Sequence, residues 1–372
     1  MRVWGVTGTN GKTTVTWILA ELLKAAYITT VEVNTTRRVF STGYTTPPLP
    51  VLKEIFAEVE AAGVKDCVME VSSHAIHQRR TGDTVFAGGA FTNLSEDHLD
   101  YHKTMEDYFR AKLLFAERLA EGRAIRPDDG RRAMPPFVVC IDGDYGHRML
   151  EAAGSLPINV IPVSVKAPRY DLSELKLAGE YNKANVLVAA ALAEAAGVSR
   201  EDIQRIISAL RPRWGRMEDV PSQAKARVIV DFAHTPDGLA NVLQAARGFT
   251  RGRLWAVFGA GGDRDRAKRP LMGEAAAKAA DRLVVTSDNP RSEEPLAIIG
   301  EIMEGVCRVP GDPSRVAVEP DRAKAISYAL SNAQADDVVL VCGKGHETTQ
   351  EIKGVKRPFD DREVVRSYVK TK

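Results

Sequence analysis

The first two dozen residues constrain the fold more tightly than any other stretch. An apolar strand, Met1 to Val6, runs directly into Gly8-Thr9-Asn10-Gly11-Lys12-Thr13-Thr14. A helical stretch follows from Val15 to Ala26, with Trp17, Ile18, Leu22 and Leu23 on one apolar stripe. Strand, glycine turn and helix N-terminus together open an α/β unit. Glycines let backbone N–H groups curl round a polyphosphate, and the helix turns its positive end toward that charge. Lys12 is placed to reach the β- and γ-phosphates, and the Thr13 hydroxyl to ligate Mg²⁺. The strict form of this loop has glycine five residues before Gly11, where this chain has Val6. With strand and helix flanking the loop in the right order, phosphate binding outweighs a turn that binds nothing.

The alternation continues. Asp66 to Val71, Val85 to Phe91 and Val138 to Ile141 read as strands, and Val51 to Ala62, Tyr108 to Leu119 and Tyr181 to Ala195 as helices. Gly122 to Pro136 reads as a surface loop from its charges and prolines. After the polar stretch Arg211-Pro212-Arg213-Trp214-Gly215 a second series begins. Its strands are Ala226 to Phe232, Leu254 to Phe258, Arg282 to Thr286 and Val338 to Cys342, with alanine-rich helices between. Strands interleaved with helices predict α/β architecture, a mainly parallel sheet covered on both faces. At 372 residues the chain exceeds one ordinary core, and the expected domains are 1–214 and 215–372.

Charge and cysteine usage narrow the function. Lys and Arg number 51 against 49 Asp and Glu, a net charge of +2, which gives no general electrostatic reason to bind nucleic acid. The cysteines, Cys67, Cys140, Cys307 and Cys342, form no CxxC pair, which argues against a zinc site or a disulfide framework. No apolar run approaches the roughly 20 residues that span a bilayer. The expectation is a cytoplasmic protein acting on small molecules, with no membrane or nucleic-acid partner.

Further polar groups fall where α/β sheets assemble ligand sites, at the C-terminal ends of strands. Glu70 closes the strand before Val71-Ser72-Ser73-His74 and could hold a metal on the phosphates, although a strand-end Glu taken alone is more often solvated or a helix cap. Thr92-Asn93-Leu94-Ser95-Glu96-Asp97-His98-Leu99-Asp100-Tyr101-His102 concentrates two histidines and three acids. That set suits a metal or phosphate site, although the four-residue histidine spacing also fits one face of an exposed helix. In the second half, Asp231 to Pro236, Gly259 to Asp265, Ser287 to Arg291 and Gly343 to Glu347 each follow a strand. One phosphate site in the first half and a cation- and amide-rich edge in the second imply chemistry in a cleft.

Taken in order, these segments resemble the Mur ligase family, closest to its MurE branch. The resemblance covers Gly8 to Thr14, Thr45-Thr46-Pro47, Glu70 to His74, Thr92 to His102, Gly179 to Asn185, Gly215-Arg216-Met217-Glu218 and Asp231 to Asp237. It continues through Gly261 to Pro270, Asp288 to Arg291, Gly343 to Glu347 and Phe359-Asp360-Asp361-Arg362. It implies a central ATP-binding domain and a smaller Rossmann-like domain for the incoming amino acid. The implied reaction is ATP-dependent amide ligation through an acyl phosphate, in peptidoglycan synthesis. By resemblance, the loop Gly8, Thr9, Asn10, Gly11, Lys12, Thr13 and Thr14 binds ATP, with Asn182, Asn185, Arg216 and Asp231. Thr13, Glu70, His98 and a carbamylated Lys112 serve two Mg²⁺ ions, and Lys12, Glu70, His98 and Lys112 form the catalytic set. From the residues alone, Lys112 reads as a solvated helix lysine.

Thr45, Thr46, Ser72, Gln78 and Arg80 match contacts to a UDP-N-acetylmuramoyl-dipeptide. Arg264, Asp288, Asn289, Pro290, Arg291, Gly343 and Glu347 match the pocket for the incoming amino acid. The Asp-Asn-Pro-Arg form is the one associated with meso-diaminopimelate, whose distal carboxylate Arg291 can grip in a bidentate fork. The family normally carries a further N-terminal domain for the uridine diphosphate group, whereas here the phosphate loop begins within the first dozen residues. The expectations are a truncated or split chain, with a separate UDP-binding domain as partner, or a two-domain paralogue. The paralogue would use a carboxylate without a nucleotide tail, as folylpolyglutamate synthetase does.

Overall fold

The computed structural model describes residues 1–122 and 134–369, and these form two compact units. The first comprises residues 1–95, 102–176 and 180–210; the second comprises 96–101, 177–179 and 211–369 of the described chain. Most of the loop expected over 122–136 lies outside the described residues.

The first unit begins with β1 (Arg2–Thr7), α1 (Lys12–Leu23), β2 (Ala26–Ile28), β3 (Val33–Asn34), β4 (Val39–Phe40), α2 (Leu49–Ala61) and β5 (Asp66–Glu70). It continues through α3 (Ser73–His77), β6 (Phe86–Phe91), α4 (Leu99–His102, which enters the unit at His102) and α5 (Met105–Glu121). It closes with β7 (Pro136–Cys140), α6 (Asp144–Gly154), β8 (Asn159–Val163), α7 (Glu180–Ala195) and α8 (Arg200–Ala209). The sheet runs β4-β3-β2-β5-β1-β6-β7-β8, parallel from β2 to β8 and antiparallel at the β4-β3-β2 edge. All five residues of β5 are buried, the pattern of a strand covered on both faces. Val6 pairs with Glu70 on one side and Thr7 with Phe91 on the other, so three strands end in register along one edge. The core beside them is built from Met69, Phe91, Phe115, Leu119 and Phe137.

Two expectations are corrected. The first helix stops at Leu23 rather than Ala26, because Lys24 turns into the left-handed region (φ 52°) and returns its N–H to Ala20 and Glu21. Ala26–Ile28 is a strand instead. His98 and His102 do not share a helical face: His98 precedes α4 at φ 57°, and His102 is buried with Nε2 2.9 Å from Ser73 Oγ.

The second unit contains β9 (Glu218–Asp219), β10 (Arg227–Asp231), α9 (Pro236–Arg247), β11 (Leu254–Phe258), α10 (Lys268–Ala279) and β12 (Arg282–Val285). After them come α11 (Pro295–Val306), β13 (Val316–Val318), α12 (Arg322–Asn332), β14 (Val338–Cys342), the hairpin β15 (Thr349–Ile352) and β16 (Val355–Pro358), and α13 (Asp361–Ser367). Its sheet runs β13-β12-β11-β14-β10-β9 and is parallel except at β9. Asp231 pairs with Cys342, and Phe258 with Val285, so the loops after four strands leave from one edge.

Candidate active site

In the first unit the phosphate loop is fixed from both sides before any ligand is considered. Gly11 caps α1 at φ 86°, a conformation that favours glycine. A Cβ there would collide with Asn185 Oδ1, and one on Gly8 with Thr92 Oγ1. The Thr9 N–H donates to Asn93 O at 2.9 Å and the Asn10 N–H to Asn93 Oδ1 at 2.9 Å, while Thr92 Oγ1 donates to Asn10 O at 2.6 Å. Asn182 and Asn185 on α7 are both buried, linked by a 3.3 Å bond. Thr14 is half-buried in the first turn of α1.

Two ammonium groups converge on this loop. Lys12 Nζ donates to Gly8 O (3.0 Å) and Thr9 O (2.8 Å). Lys112 Nζ donates to Gly8 O at 2.8 Å and lies 4.4 Å from the centre of the Tyr108 ring. Lys112 is only 1% exposed, so the solvated helix lysine expected from the residues alone is overturned. Helical spacing places Lys112 on the stripe of the buried Tyr108, Phe115 and Leu119, a signal of burial that was legible in the sequence.

Glu70 is the acceptor at the centre of the same edge. It takes hydrogen bonds from Thr13 Oγ1 at 2.8 Å, Thr30 N at 2.8 Å and Thr30 Oγ1 at 3.1 Å. Thr30 also meets Thr45 Oγ1 at 3.0 Å, and Thr46 Oγ1 joins Glu70 O (2.8 Å) to Ser72 N (3.0 Å). Ser72 in turn caps α3 through Ala75 N. Gln78 and Arg80 pair with each other at 2.8 Å on the exposed side of that short helix. Thr30 is a site residue that sequence reading missed; its only signal was its place just beyond β2, on the edge shared with Glu70.

The hydroxyl of Thr13 and the carboxylate of Glu70 are hard oxygen donors suited to Mg²⁺. Among the described residues no three His, Cys, Asp or Glu side chains converge as a metal cage. That fits an ion which takes one or two protein oxygens and completes its shell with phosphate and water.

In the second unit a cavity of about 180 Å³ opens at the edge of the sheet. Arg264, Asp288, Asn289, Arg291, Gly343 and Glu347 all line it; Pro290 does not, its carbonyl packing on Gly262 instead. Arg291 sits at φ 53°, a costly conformation for any residue that carries a Cβ. Its N–H donates to Glu351 O at 3.0 Å and its Nη1 to Gly262 O at 2.6 Å. Burial, and then the neighbouring Arg264 guanidinium, lower its affinity for the proton. Two cations held together in a cavity make a place for a carboxylate.

Anionic groups complete the cavity. Asn289 Nδ2 bonds Glu347 Oε2 (2.8 Å) and Asp288 Oδ1 (3.0 Å). Lys344, fully buried, donates to Glu347 Oε2 at 2.6 Å and to Asn289 Oδ1 at 3.3 Å. Sequence reading noted Lys344 only as a loop residue. His98 and Asp97 fall in this unit, with His98 Nε2 3.4 Å from Asp97 Oδ2 and Lys268 Nζ 3.5 Å from Asp97 Oδ1. Burial opposes charge on Asp97, but the Lys268 ammonium and then His98 hold its carboxyl below the usual range. His234 Nδ1–H donates to Phe232 O (2.9 Å), and burial and then the Lys268 charge lower its pKa. Asp231 accepts from Met217 N and Ala233 N, each at 2.7 Å, while burial pushes its carboxyl up despite Arg216.

A phosphate loop of this geometry, and a separate sheet edge carrying paired guanidinium and carboxylate groups, describe an enzyme that joins two small molecules. Residues 6–193 match the Mur ligase middle domain, and residues 215–345 match the Mur ligase glutamate ligase domain. The chain belongs to the Mur ligase family, and with it to the ATP-dependent enzymes that form amide bonds. It is 41% identical over 380 residues to the UDP-N-acetylmuramoyl-L-alanyl-D-glutamate–2,6-diaminopimelate ligase of Aquifex aeolicus strain VF5, spanning 99% of this chain and 77% of that one. The corresponding ligase of Synechococcus elongatus is 43% identical over 392 residues, 98% of this chain and 76% of its own. Among solved structures, a UDP-N-acetylmuramoyl-L-alanyl-D-glutamate–2,6-diaminopimelate ligase superposes with a TM-score of 0.61 at 32% identity, covering 99% of this chain and 78% of that one. Folylpolyglutamate synthase of Mycobacterium tuberculosis shares the fold, with a TM-score of 0.67 at 18% identity over 92% of this chain and 88% of that one.

Proposed function

We propose that this enzyme adds meso-diaminopimelate to UDP-N-acetylmuramoyl-L-alanyl-D-glutamate, a step in building peptidoglycan. The observation that carries the reading is the cavity of the second unit, where Arg264 and Arg291 stand beside Asp288 and Glu347. A ligand carrying two carboxylates and two ammonium groups answers that charge pattern, and lysine, lacking the distal carboxylate, does not. Relatives at 41–43% identity bear the name of this same ligase. The likeness to folylpolyglutamate synthase extends to the fold alone.

In the reaction, a substrate carboxylate oxygen attacks the γ-phosphorus of ATP, and ADP leaves with the bonding pair. The resulting acyl phosphate is attacked by the deprotonated amine. The tetrahedral adduct expels inorganic phosphate and leaves the amide. The protein needs no nucleophile for this; it positions the reactants and balances charge. Lys12, already turned onto its own loop, would neutralise phosphate charge, and the first N–H groups of α1 would face the same anion. Mg²⁺, held by Thr13 and Glu70, would supply further positive charge to the phosphates; the family resemblance adds His98 and a carbamylated Lys112 as ligands. Asn182, Asn185, Arg216 and Asp231 are assigned to ATP, and Thr45, Thr46, Ser72, Gln78 and Arg80 to the muramoyl peptide, on that same resemblance.

The reading is tested by following phosphate release with ATP, the muramoyl dipeptide and either meso-diaminopimelate or L-lysine. Release that requires the dipeptide and strongly prefers meso-diaminopimelate supports it. Turnover with another acid or amine in preference would assign the chain to a different amide ligase of the family.

A further inference from the structure

One charged pair stands wholly inside the second unit and plays no part in the reaction described above. Arg322, at the start of α12, is 1% exposed, and Asp361, at the start of α13, is 0% exposed. Arg322 Nε and Nη2 donate to the two carboxylate oxygens of Asp361, each at 2.7 Å. Its remaining reach goes to main chain: Nη2 donates to Cys342 O at 2.8 Å and Nη1 to Ser287 O at 3.3 Å. Cys342 is the last residue of β14, and Ser287 lies just past β12. Each carbonyl therefore stands immediately before a segment that lines the amino-acid cavity, Gly343 after one and Asp288 after the other.

Those two segments tolerate little displacement. Gly343 adopts φ 116°, and a Cβ on it would strike Asp288 Oδ2. A buried ion pair is weak evidence of stabilisation, since apolar residues of like volume often serve as well. What apolar residues cannot do is hold two backbone carbonyls at fixed spacing from one rigid plane of donors, which a guanidinium does.

We propose that Arg322, anchored by Asp361, is the positioning residue of the amino-acid cavity: its fork joins the ends of β12 and β14 and so sets the spacing between Asp288–Arg291 and Gly343–Glu347. The role rests on the function proposed above, because those segments are taken to hold the diamino acid. Arg322→Lys keeps the charge but cannot span four acceptors, and Asp361→Asn leaves the fork without its ionic anchor.

The test compares both variants with the wild-type enzyme in steady-state kinetics and in native-state hydrogen exchange without substrates. Expected are a KM for meso-diaminopimelate raised about tenfold or more with KM for ATP within about twofold, the pattern of a misplaced subsite. Faster exchange confined to the amides of residues 288–292 and 343–347 is expected alongside. Unchanged KM for the diamino acid in folded variants overturns the proposal, as does exchange that rises evenly through the unit. Failure of both variants to fold also overturns it, because the pair is then core structure only. If wild-type enzyme does not turn over meso-diaminopimelate, the functional reading fails by itself, and localised exchange still decides whether Arg322 sets the spacing.

Discussion

Lys12, Glu70 and Arg291 are proposed to act through charge, and their removal should be felt at the group each one faces. Lys12→Ala removes the cation that folds onto Gly8 O and Thr9 O, and turnover should fall by about 10²–10³-fold or more in a phosphate-release assay; near-normal activity would refute its role. Arg291→Ala should raise KM for meso-diaminopimelate by about 10²-fold while KM for ATP stays close to wild type, and equal shifts in both would contradict the carboxylate grip. Lys112→Ala should be inactive, with recovery on adding a short-chain carboxylate if carbamylation is real. His346 gives a pH prediction: burial, and then the Arg216 charge, push its imidazole down to about 3. The unfolded imidazole titrates near 6.5, so between these values the unfolded chain holds the extra proton. Its contribution to stability is complete above about pH 6.5 and is lost as the pH falls toward 3. Urea midpoints of His346→Gln measured from pH 4 to 7 should slope less steeply than wild type. Lys12 was legible as the lysine of a phosphate loop, and Glu70 as an acid at a strand end. The contacts of Thr30, Lys344 and Arg322 were not legible, because each includes a partner far along the chain, 40, 55 and 39 positions away, that the fold brings close.

At the scale of elements, runs of buried β residues read clearly: Leu254–Phe258 and Val338–Cys342 have the bounds their sequence indicates. Short strands did not. β2, β3 and β4 hold two or three residues each, too few for periodicity, and the expected helix ran on to Ala26, the first residue of β2, because Lys24 gives no glycine stop signal. The phosphate loop yields the element-level prediction. Gly11→Ala forces a side chain into φ 86° against Asn185 on α7, at a cost of about 1–3 kcal/mol. Calorimetry should show Tm lowered by roughly 2–10 °C, with ATP binding weakened. An unchanged Tm and ATP affinity would mean that the loop does not need this conformation.

Across the whole molecule, family membership was legible because eleven separate segments fall in one order along the chain. The charge pattern of the amino-acid cavity needed the fold, since Arg264, Arg291 and Glu347 come from three different loops. The chain spans about 77% of the length of its Aquifex relative. The central claim is that this chain spends ATP to join a diamino diacid to a muramoyl peptide. Mass-spectrometric detection of the product, with phosphate counted in the same reaction, tests it most directly. One phosphate released per diaminopimelate incorporated, with neither formed when the dipeptide or the diamino acid is omitted, is the predicted result. Phosphate release indifferent to the amine, or incorporation of lysine at the same rate, would contradict it.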